Sequence, residues 1–218
     1  MGLLAALARA SAAHPWSHND AYAGFVLRHA RSVHRRGGTA ALDVGCGTGN
    51  LLARLSEVFP SAVGLEPDGG TAAVAAERFS DVPNVRIEQR RFGDEPVQAY
   101  DVIVFAASLH HMPLREALDT ARASLRSGGR LVIIGVAKET SADALRSWIS
   151  VLLNPIIGLI RHPHRAHEMP RHMRAPTAEA SQSFTEIRAV AAALLPGVRM
   201  RQRLFWRYTA VWVKRPGL

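Results

Sequence analysis

The sequence predicts an α/β protein built on a parallel sheet. Three observations lead there. From residue 39 onward, strand-like and helix-like segments alternate, the pattern that βαβ units produce. Residues 100–106, Tyr-Asp-Val-Ile-Val-Phe-Ala, form an almost unbroken apolar run, as a strand covered on both faces requires. Residues 41–50, Ala-Leu-Asp-Val-Gly-Cys-Gly-Thr-Gly-Asn, pass from an apolar run through an acid into a glycine-rich loop, and Leu51-Leu52-Ala53-Arg54-Leu55 follows in helical style. That is a strand, a tight turn and a helix start, with glycines that permit positive φ and close approach of a ligand.

Each element can be justified in order. Residues 1–10 read as an amphipathic first helix. They are briefly signal-like, but no basic stretch precedes the apolar part, and the run is too short to span a bilayer. Residues 19–36 read as a second helix with Asn19 or Asp20 as N-cap. The first strand covers residues 40–44 and its helix residues 49–58. The second strand, residues 61–66, leads to a helix at 70–79, and a short third strand occupies 84–89. The fourth strand at 100–106 is followed by a helix at 114–125. Ser127-Gly128-Gly129 makes the turn into a fifth strand at 130–137. Residues 141–160 read as one or two helices interrupted near Pro155. The apolar part, 148–160, contains Asn154, Pro155 and Gly158 and is too short to span a membrane. Residues 162–176 are polar, proline-bearing and rich in His and Arg, which predicts a loop or lid. Residues 177–195 read as helical, with Thr185-Glu186-Ile187-Arg188 as a restart. Residues 198–205 and 207–214 read as two strands around a tight bend. No internal repeat or low-complexity linker interrupts the chain.

Composition narrows the function classes. At 218 residues the chain fits one domain with a full-size core, or one domain with a small appendage. Its 48% hydrophobic and 21% charged content is ordinary for a globular protein. The single cysteine, Cys46, excludes an internal disulfide framework and suits a reducing cytoplasm. The formal net charge is +9, carried almost wholly by arginine, with Lys138 and Lys214 as the lysines. A basic chain invites a nucleic-acid reading. Against it, the arginines are scattered, no RNA-binding module is recognisable, and an arginine and alanine bias also arises from GC-rich coding.

The glycine loop has the spacing Gly45-x-Gly47-x-Gly49. A dinucleotide fingerprint would place its third glycine where Asn50 stands, and a P-loop would need a closing Gly-Lys-Ser/Thr. The string Leu42-Asp43-Val44-Gly45-Cys46-Gly47-Thr48-Gly49 resembles the first motif of class I S-adenosylmethionine (SAM) dependent methyltransferases. The resemblance covers residues 39–214. It implies a doubly wound, mostly parallel seven-stranded sheet with a C-terminal antiparallel hairpin and helical lid elements. It also implies SAM as cofactor, held by Asp43 at the amino-acid end and by Gly45, Cys46, Gly47, Gly49 and Asn50 along the loop. Asp43 has an alternative role, capping the N–H groups of its own loop. Cys46 reads as a small filler of the turn rather than a nucleophile.

Glu66, in Val63-Gly64-Leu65-Glu66-Pro67-Asp68, is an acid at the end of strand two, about 20 residues beyond the loop. There a carboxylate can accept from both ribose hydroxyls. Its alternative is to cap the next helix, a role that Asp68 fills better. Pro67 beside it, and Ala106 at the end of strand four, complete the expected wall. After strand three the family places an acid against the adenine. Here Arg90 or Arg91 stands at that position, so Phe92 is expected to pack on the ring and Asp94 to supply the acid.

The methyl acceptor should border the end of strand four, where Leu109-His110-His111 resembles a motif of small-molecule methyltransferases. His110 or His111 could accept a proton, orient the acceptor or cover the cofactor. Alternatively, one caps the helix beginning near Pro113 and the other packs on the sheet. His14, Trp16, His18, Asn19 and Tyr22 suit a lid over the cofactor, with Tyr22 against it, or an ordinary packing helix. His162, His164, His167, Glu168 and His172 match no structural zinc spacing, and no metal is expected. Residues 1–38 thus form a helical cap and 39–218 the methyltransferase domain, with 138–184 inserted over the acceptor site. The expected partner is a small-molecule acceptor, with no membrane and no nucleic acid. The oligomeric state is left open, a homodimer included. Two alternatives stand beside this reading. A nucleic-acid methyltransferase acting on base amines would carry Asn/Asp-Pro-Pro-Tyr/Phe where this chain has Ala106-Ala107-Ser108-Leu109. A non-catalytic SAM-binding protein would share the whole cofactor pattern.

Overall fold

The computed structural model describes residues 2–164 and 179–217. Among the described residues seven strands form one sheet: β1 (Ala40–Val44), β2 (Ser61–Leu65), β3 (Val85–Glu88), β4 (Tyr100–Ala106), β5 (Leu125–Gly135), β6 (Arg199–Gln202) and β7 (Tyr208–Val213). Their order is β3-β2-β1-β4-β5-β7-β6. All neighbours are parallel except β7, which runs antiparallel to β5 and to β6. The doubly wound, seven-stranded α/β fold is therefore the one the sequence implies. The order reverses between β1 and β4, and the crevice beyond the carboxyl ends of such strands is where an open sheet binds ligands.

Strand parity explains the layers. Leu42, Val44, Ile103, Phe105, Leu131 and Ile133 face one side, against α5 (Leu114–Ser124) and α7 (Phe184–Leu194). Their neighbours Ala41, Val102, Val104, Val132 and Ile134 face the other, against α2 (Asp20–His34) and α3 (Asn50–Ser56). Successive side chains of a strand point to opposite faces, so a strand packed on both sides must be apolar throughout. Phe79, at the end of α4 (Gly69–Arg78), closes a smaller cluster with Leu52 and Ala62.

Several boundaries differ from the sequence reading. β5 begins at Leu125, so Ser127-Gly128-Gly129 lies within it rather than before it. The chain end draws these residues into the ladder: Gly128 N donates to Lys214 O and Lys214 N to Gly129 O. α7 starts at Phe184, not 177, because Ser183 and Glu186 form a capping box there. α2 starts at Asp20, but Asn19 makes no side-chain cap; its Oδ1 accepts from Arg207 Nε at 2.9 Å instead.

The largest correction concerns α6 (Ala144–Arg161), which runs unbroken through Pro155 after a 3-10 turn at Ser141–Asp143. Proline removes one N–H from the ladder. Here Pro155 is buried, and its neighbour Asn154 is pinned by Trp16, whose Nε1 donates to Asn154 Oδ1 at 2.9 Å. Lateral packing thus holds the helix across the gap. With Pro155 counted as helix, Ser141–Arg161 has 21 residues and a mean hydropathy of 1.3, long and apolar enough by those measures to cross a membrane. Its outward face is a stripe of exposed apolar residues: Leu145, Trp148, Ile149, Leu152, Ile156, Leu159 and Ile160. α1 (Leu3–Ala13) packs beside α6.

Candidate active site

The glycine loop leaves β1 with Gly45, Gly47 and Gly49 all at positive φ. Each glycine has a different reason. A side chain at Gly45 would strike Ser108 Cβ at 2.5 Å, and one at Gly49 would strike Phe79 Cε2 at 2.3 Å. Those two let β4 and α4 close on the loop. A Cβ at Gly47 would meet nothing within 4 Å, so Gly47 faces open space where a ligand can lie against backbone.

The loop shapes itself largely with its own N–H groups. Gly45 N and Cys46 N donate to Leu65 O at 2.8 and 2.9 Å, and Gly49 N to Cys46 O at 3.0 Å. Gly47 N donates to Glu66 Oε2 at 3.0 Å. The N–H groups are thus mostly consumed in shaping the turn. Glu66, not Asp43, is the loop's cap, and its other oxygen accepts from Asp68 N at 3.0 Å. Two ionised oxygens offer about four lone-pair sites, so Glu66 retains capacity towards a diol. Asp68 caps α4 through Thr71 N at 2.8 Å. Pro67, between the two acids, is exposed.

Asp43 is 1% exposed, and neither carboxylate oxygen has a hydrogen-bond partner among the described residues. Burial, then the nearby Glu66 charge, pushes its pKa up to about 7. An unpaired buried carboxylate is costly, and a cationic ammonium is the group that relieves it. The orphaned Asp43 oxygens and the open face of Gly47 therefore fit the amino-acid end of SAM. Cys46 is buried, and burial raises its thiol pKa far above neutrality. Its sulfur lies under Gly64, where a Cβ would come within 2.8 Å.

The remaining predicted residues are dispersed. Asn50 Oδ1 accepts from Arg78 Nη1 at 2.7 Å, which ties α3 to α4. Phe92 is half-buried with its ring edge-on to Phe105, centroids 5.3 Å apart. Asp94 is exposed. Arg90 is held by Glu88 (2.7 Å) and by both oxygens of Glu95 (2.6 and 2.9 Å). The loop after β3 is thus closed by an arginine where an acid was expected.

At the end of β4, Ala106 is half-buried and Ala107 takes φ +57°. Such a conformation is strained for a residue with a Cβ and often marks a functional site. It turns the chain so that the Ser108 hydroxyl donates to Val44 O, locking β4 to the glycine loop. Sequence reasoning missed Ser108, because only the fold brings it against Gly45 and Val44. His110 and His111 follow in a 3-10 turn, rings 4.1 Å apart. His110 lines a cleft with Met112, Val136, Gln182 and Tyr208, while His111 is exposed. The N-cap of α5 is Pro113, which supplies no side-chain cap.

The N-terminal segment packs on α6 and on the β6–β7 bend. Besides Asn154, Trp16 meets the Phe205 ring edge-on at 4.9 Å. His18 stacks on Phe205 at 5.6 Å. Tyr22 donates its hydroxyl to Leu204 O at 2.8 Å, and His14 Nδ1 lies 2.7 Å from His162 O. His162 and His164 are exposed. His167, Glu168 and His172 lie outside the described residues, and among the described residues no cluster of three or more metal-ligating side chains occurs.

A second cleft opens between the end of β5, α6 and the β6–β7 bend, lined by Lys138, Asp143, Arg146, Arg203, Trp206 and Arg207 among others. It lies on the same carboxyl edge of the parallel strands as the glycine loop, because Gly135 pairs with Tyr208 and Ala106 with Ile134.

Residues 42–131 match the family model of a methyltransferase domain. Uncharacterized methyltransferases of Mycobacterium bovis and Mycobacterium tuberculosis are 28% identical over 204 residues, covering 91% of this chain and 96% of theirs. A SAM-dependent methyltransferase from Aquifex aeolicus superposes with a TM-score of 0.53 at 16% identity, over 84% of this chain and 88% of that one. Haemonchus contortus phosphoethanolamine N-methyltransferase 2, solved with phosphomonomethylethanolamine and S-adenosylhomocysteine, superposes with a TM-score of 0.57 at 12% identity, over 86% and 53%. These similarities, with the sheet order, support a SAM-dependent methyltransferase on a Rossmann-like fold.

Proposed function

We propose that this enzyme methylates an O, N or C atom of a small molecule in the cytoplasm, in secondary or quinone-like metabolism. The observation that carries the reading is the roofing of the acceptor side. α6 and the β6–β7 bend, braced from behind by Trp16, wall a small cleft at the carboxyl edge of the sheet, which suits a small acceptor. Residues 1–38 act as a cap, 39–218 as the catalytic domain, and 138–184 as its insertion over the acceptor. The Haemonchus enzyme, solved with a small acceptor-like molecule, supports the same class.

Bound SAM supplies an electrophilic methyl on a sulfonium centre. Asp43 would hold the ammonium and Glu66 the ribose hydroxyls. Gly45, Cys46, Gly47, Gly49 and Asn50 would shape the turn, and Pro67, Phe92, Ala106 and Tyr22 would border the pocket. The protein's main contribution is alignment of the attacking atom. His110, in its cleft beside the end of β4, would accept the acceptor's proton, and His111 would orient it; such a base typically contributes about 10²–10⁴-fold.

Calorimetric titration with SAM and methyl-transfer assays over phenols, amines and hydroxy acids test the reading. SAM should bind the wild type. Gly47→Val, which fills the open space, and Asp43→Ala, which removes the ammonium's partner, should abolish binding. Unchanged affinity in both variants refutes the site, and no binding by the wild-type chain sinks the reading.

A further inference from the structure

The β6–β7 bend is an unusual piece of backbone. Phe205 and Trp206 both take positive φ, +57° and +55°, a conformation that costs residues with a Cβ about 1–2 kcal/mol each. Their surroundings hold them there. Phe205 N donates to the Ser150 hydroxyl of α6 at 2.8 Å. The Phe205 ring packs on Trp16 and His18, and Trp206 lies against His18. Arg203 N closes the bend on Arg207 O at 2.7 Å. The bend therefore fixes two arginines, Arg203 and Arg207, at its base, and both line the cleft described above.

Among the described residues neither arginine has a carboxylate in ion-pair range. Arg203 Nε donates to Thr209 Oγ1 at 3.1 Å, and Arg207 Nε to Asn19 Oδ1 at 2.9 Å. Arg207 Nη1 has only two long contacts, at 3.4 Å, to the carbonyls of Phe205 and Trp206. The two acids of the cleft are engaged elsewhere. Glu139 accepts the Ser147 hydroxyl. Asp143 takes Thr140 N and Oγ1 and Gln202 Nε2, and pairs with Arg146 at 3.7 Å. Partly buried guanidinium groups are planar forks suited to oxyanions, and these two face a cleft whose acids are not paired with them.

We propose that Arg203 and Arg207 bind an oxyanion, a carboxylate or a phosphate, carried by the methyl acceptor. The inference rests on the methyltransferase reading above and names the acceptor's chemical class. Burial already lowers the Arg207 pKa to about 10, so the group stays charged at neutral pH, with neutral hydrogen-bond partners and no carboxylate among the described residues. The register sets the acceptor's size. Arg207 precedes Tyr208, which pairs with Gly135 on β5, and β5 neighbours β4, where Ala106 ends. Two strand spacings put the backbones at Arg207 and Ala106 about 10 Å apart, a span that a compact acceptor can bridge. A hydroxy- or amino-substituted aromatic acid, or a short phosphoester, has such dimensions.

The test uses the full chain with SAM bound. Inorganic phosphate and benzoate are titrated separately, at constant ionic strength set with chloride, and thermal stability and Trp fluorescence are followed. Saturable stabilisation by either anion is expected, and which one acts identifies the source. Arg207→Met and the milder Arg207→Lys should weaken that binding about 10- to 100-fold, the worth of one or two charge-assisted hydrogen bonds, and leave SAM affinity unchanged. With a hydroxybenzoate or phosphoester acceptor, Arg207→Met should raise KM by a similar factor with kcat nearly constant. SAM binding with no saturable anion effect in the wild type, or equal anion binding in all three proteins, overturns the inference alone. If the wild type binds no SAM, the underlying methyltransferase reading fails instead. Should Arg207→Met not fold, Arg203→Met and Arg207→Lys carry the same comparison.

Discussion

Asp43 shows how one side chain couples a proton to stability. Its folded pKa of about 7 stands above its ordinary value of 3.8. The folded, ligand-free chain therefore holds a proton that the unfolded chain releases between those values. Stability from this group is full below pH 3.8 and is lost as pH rises towards 7. His29 has the opposite sign. Burial, then Arg130, pushes its pKa down to about 4, and its Nδ1 lies 3.1 Å from Arg130 Nη1. Its contribution is present above 6.5 and is lost as pH falls towards 4. Over the shared window the two effects oppose each other. Asp43→Asn should make stability rise more steeply from pH 4 to 6.5 in denaturant titrations; an unchanged profile refutes the raised pKa. SAM, whose ammonium favours the carboxylate, should bind more tightly as pH rises to 7, by up to about tenfold per unit. Calorimetry in buffers of different ionisation enthalpy should detect the released proton, and Asp43→Asn should remove it.

At the scale of elements, the parallel core was legible and the roof was not. β1 and β4 have the bounds that their apolar runs imply, because local pattern and burial agree in a strand covered on both faces. Asp43 and Glu66 were legible as acids at the ends of β1 and β2. Their division of labour was not, because Gly47 N chooses Glu66 through a turn no pattern encodes. Pro155 misled in the same way: its local penalty is real, but contacts over 130 residues away in sequence outweigh it. Ser108 and Arg207 carry no local signal, since each acts through a partner brought in by the fold. Gly158 shows how closely the roof is packed. A Cβ there would stand 2.3 Å from His14 O. Gly158→Ala should therefore destabilise the protein by about 1–3 kcal/mol through overpacking, although alanine favours helices by up to about 1 kcal/mol over glycine. Gly24→Ala in α2, which meets nothing within 4 Å, should stabilise slightly. Thermal melts of both variants, with limited proteolysis near residues 14–18 in Gly158→Ala, check this. Equal melting temperatures would show that the segment is not clamped.

For the molecule as a whole, the net charge of +9 and the outward stripe of α6 pull in opposite directions. Like charge keeps copies apart, while contiguous apolar surface draws them together. At 0.01 M ionic strength the repulsion reaches about 30 Å, and at 1 M about 3 Å. The apolar attraction has no such dependence and is strengthened by salts such as sulfate. Sedimentation should show particle mass growing from low to high salt, the reverse of a complex held by ion pairs. Trp148→Gln combined with Ile156→Gln should flatten that trend without changing SAM affinity. An unchanged trend would place the contact elsewhere. The face that α6 turns to solvent thus makes ionic strength, through screening alone, a control on how crowded solutions of this enzyme behave.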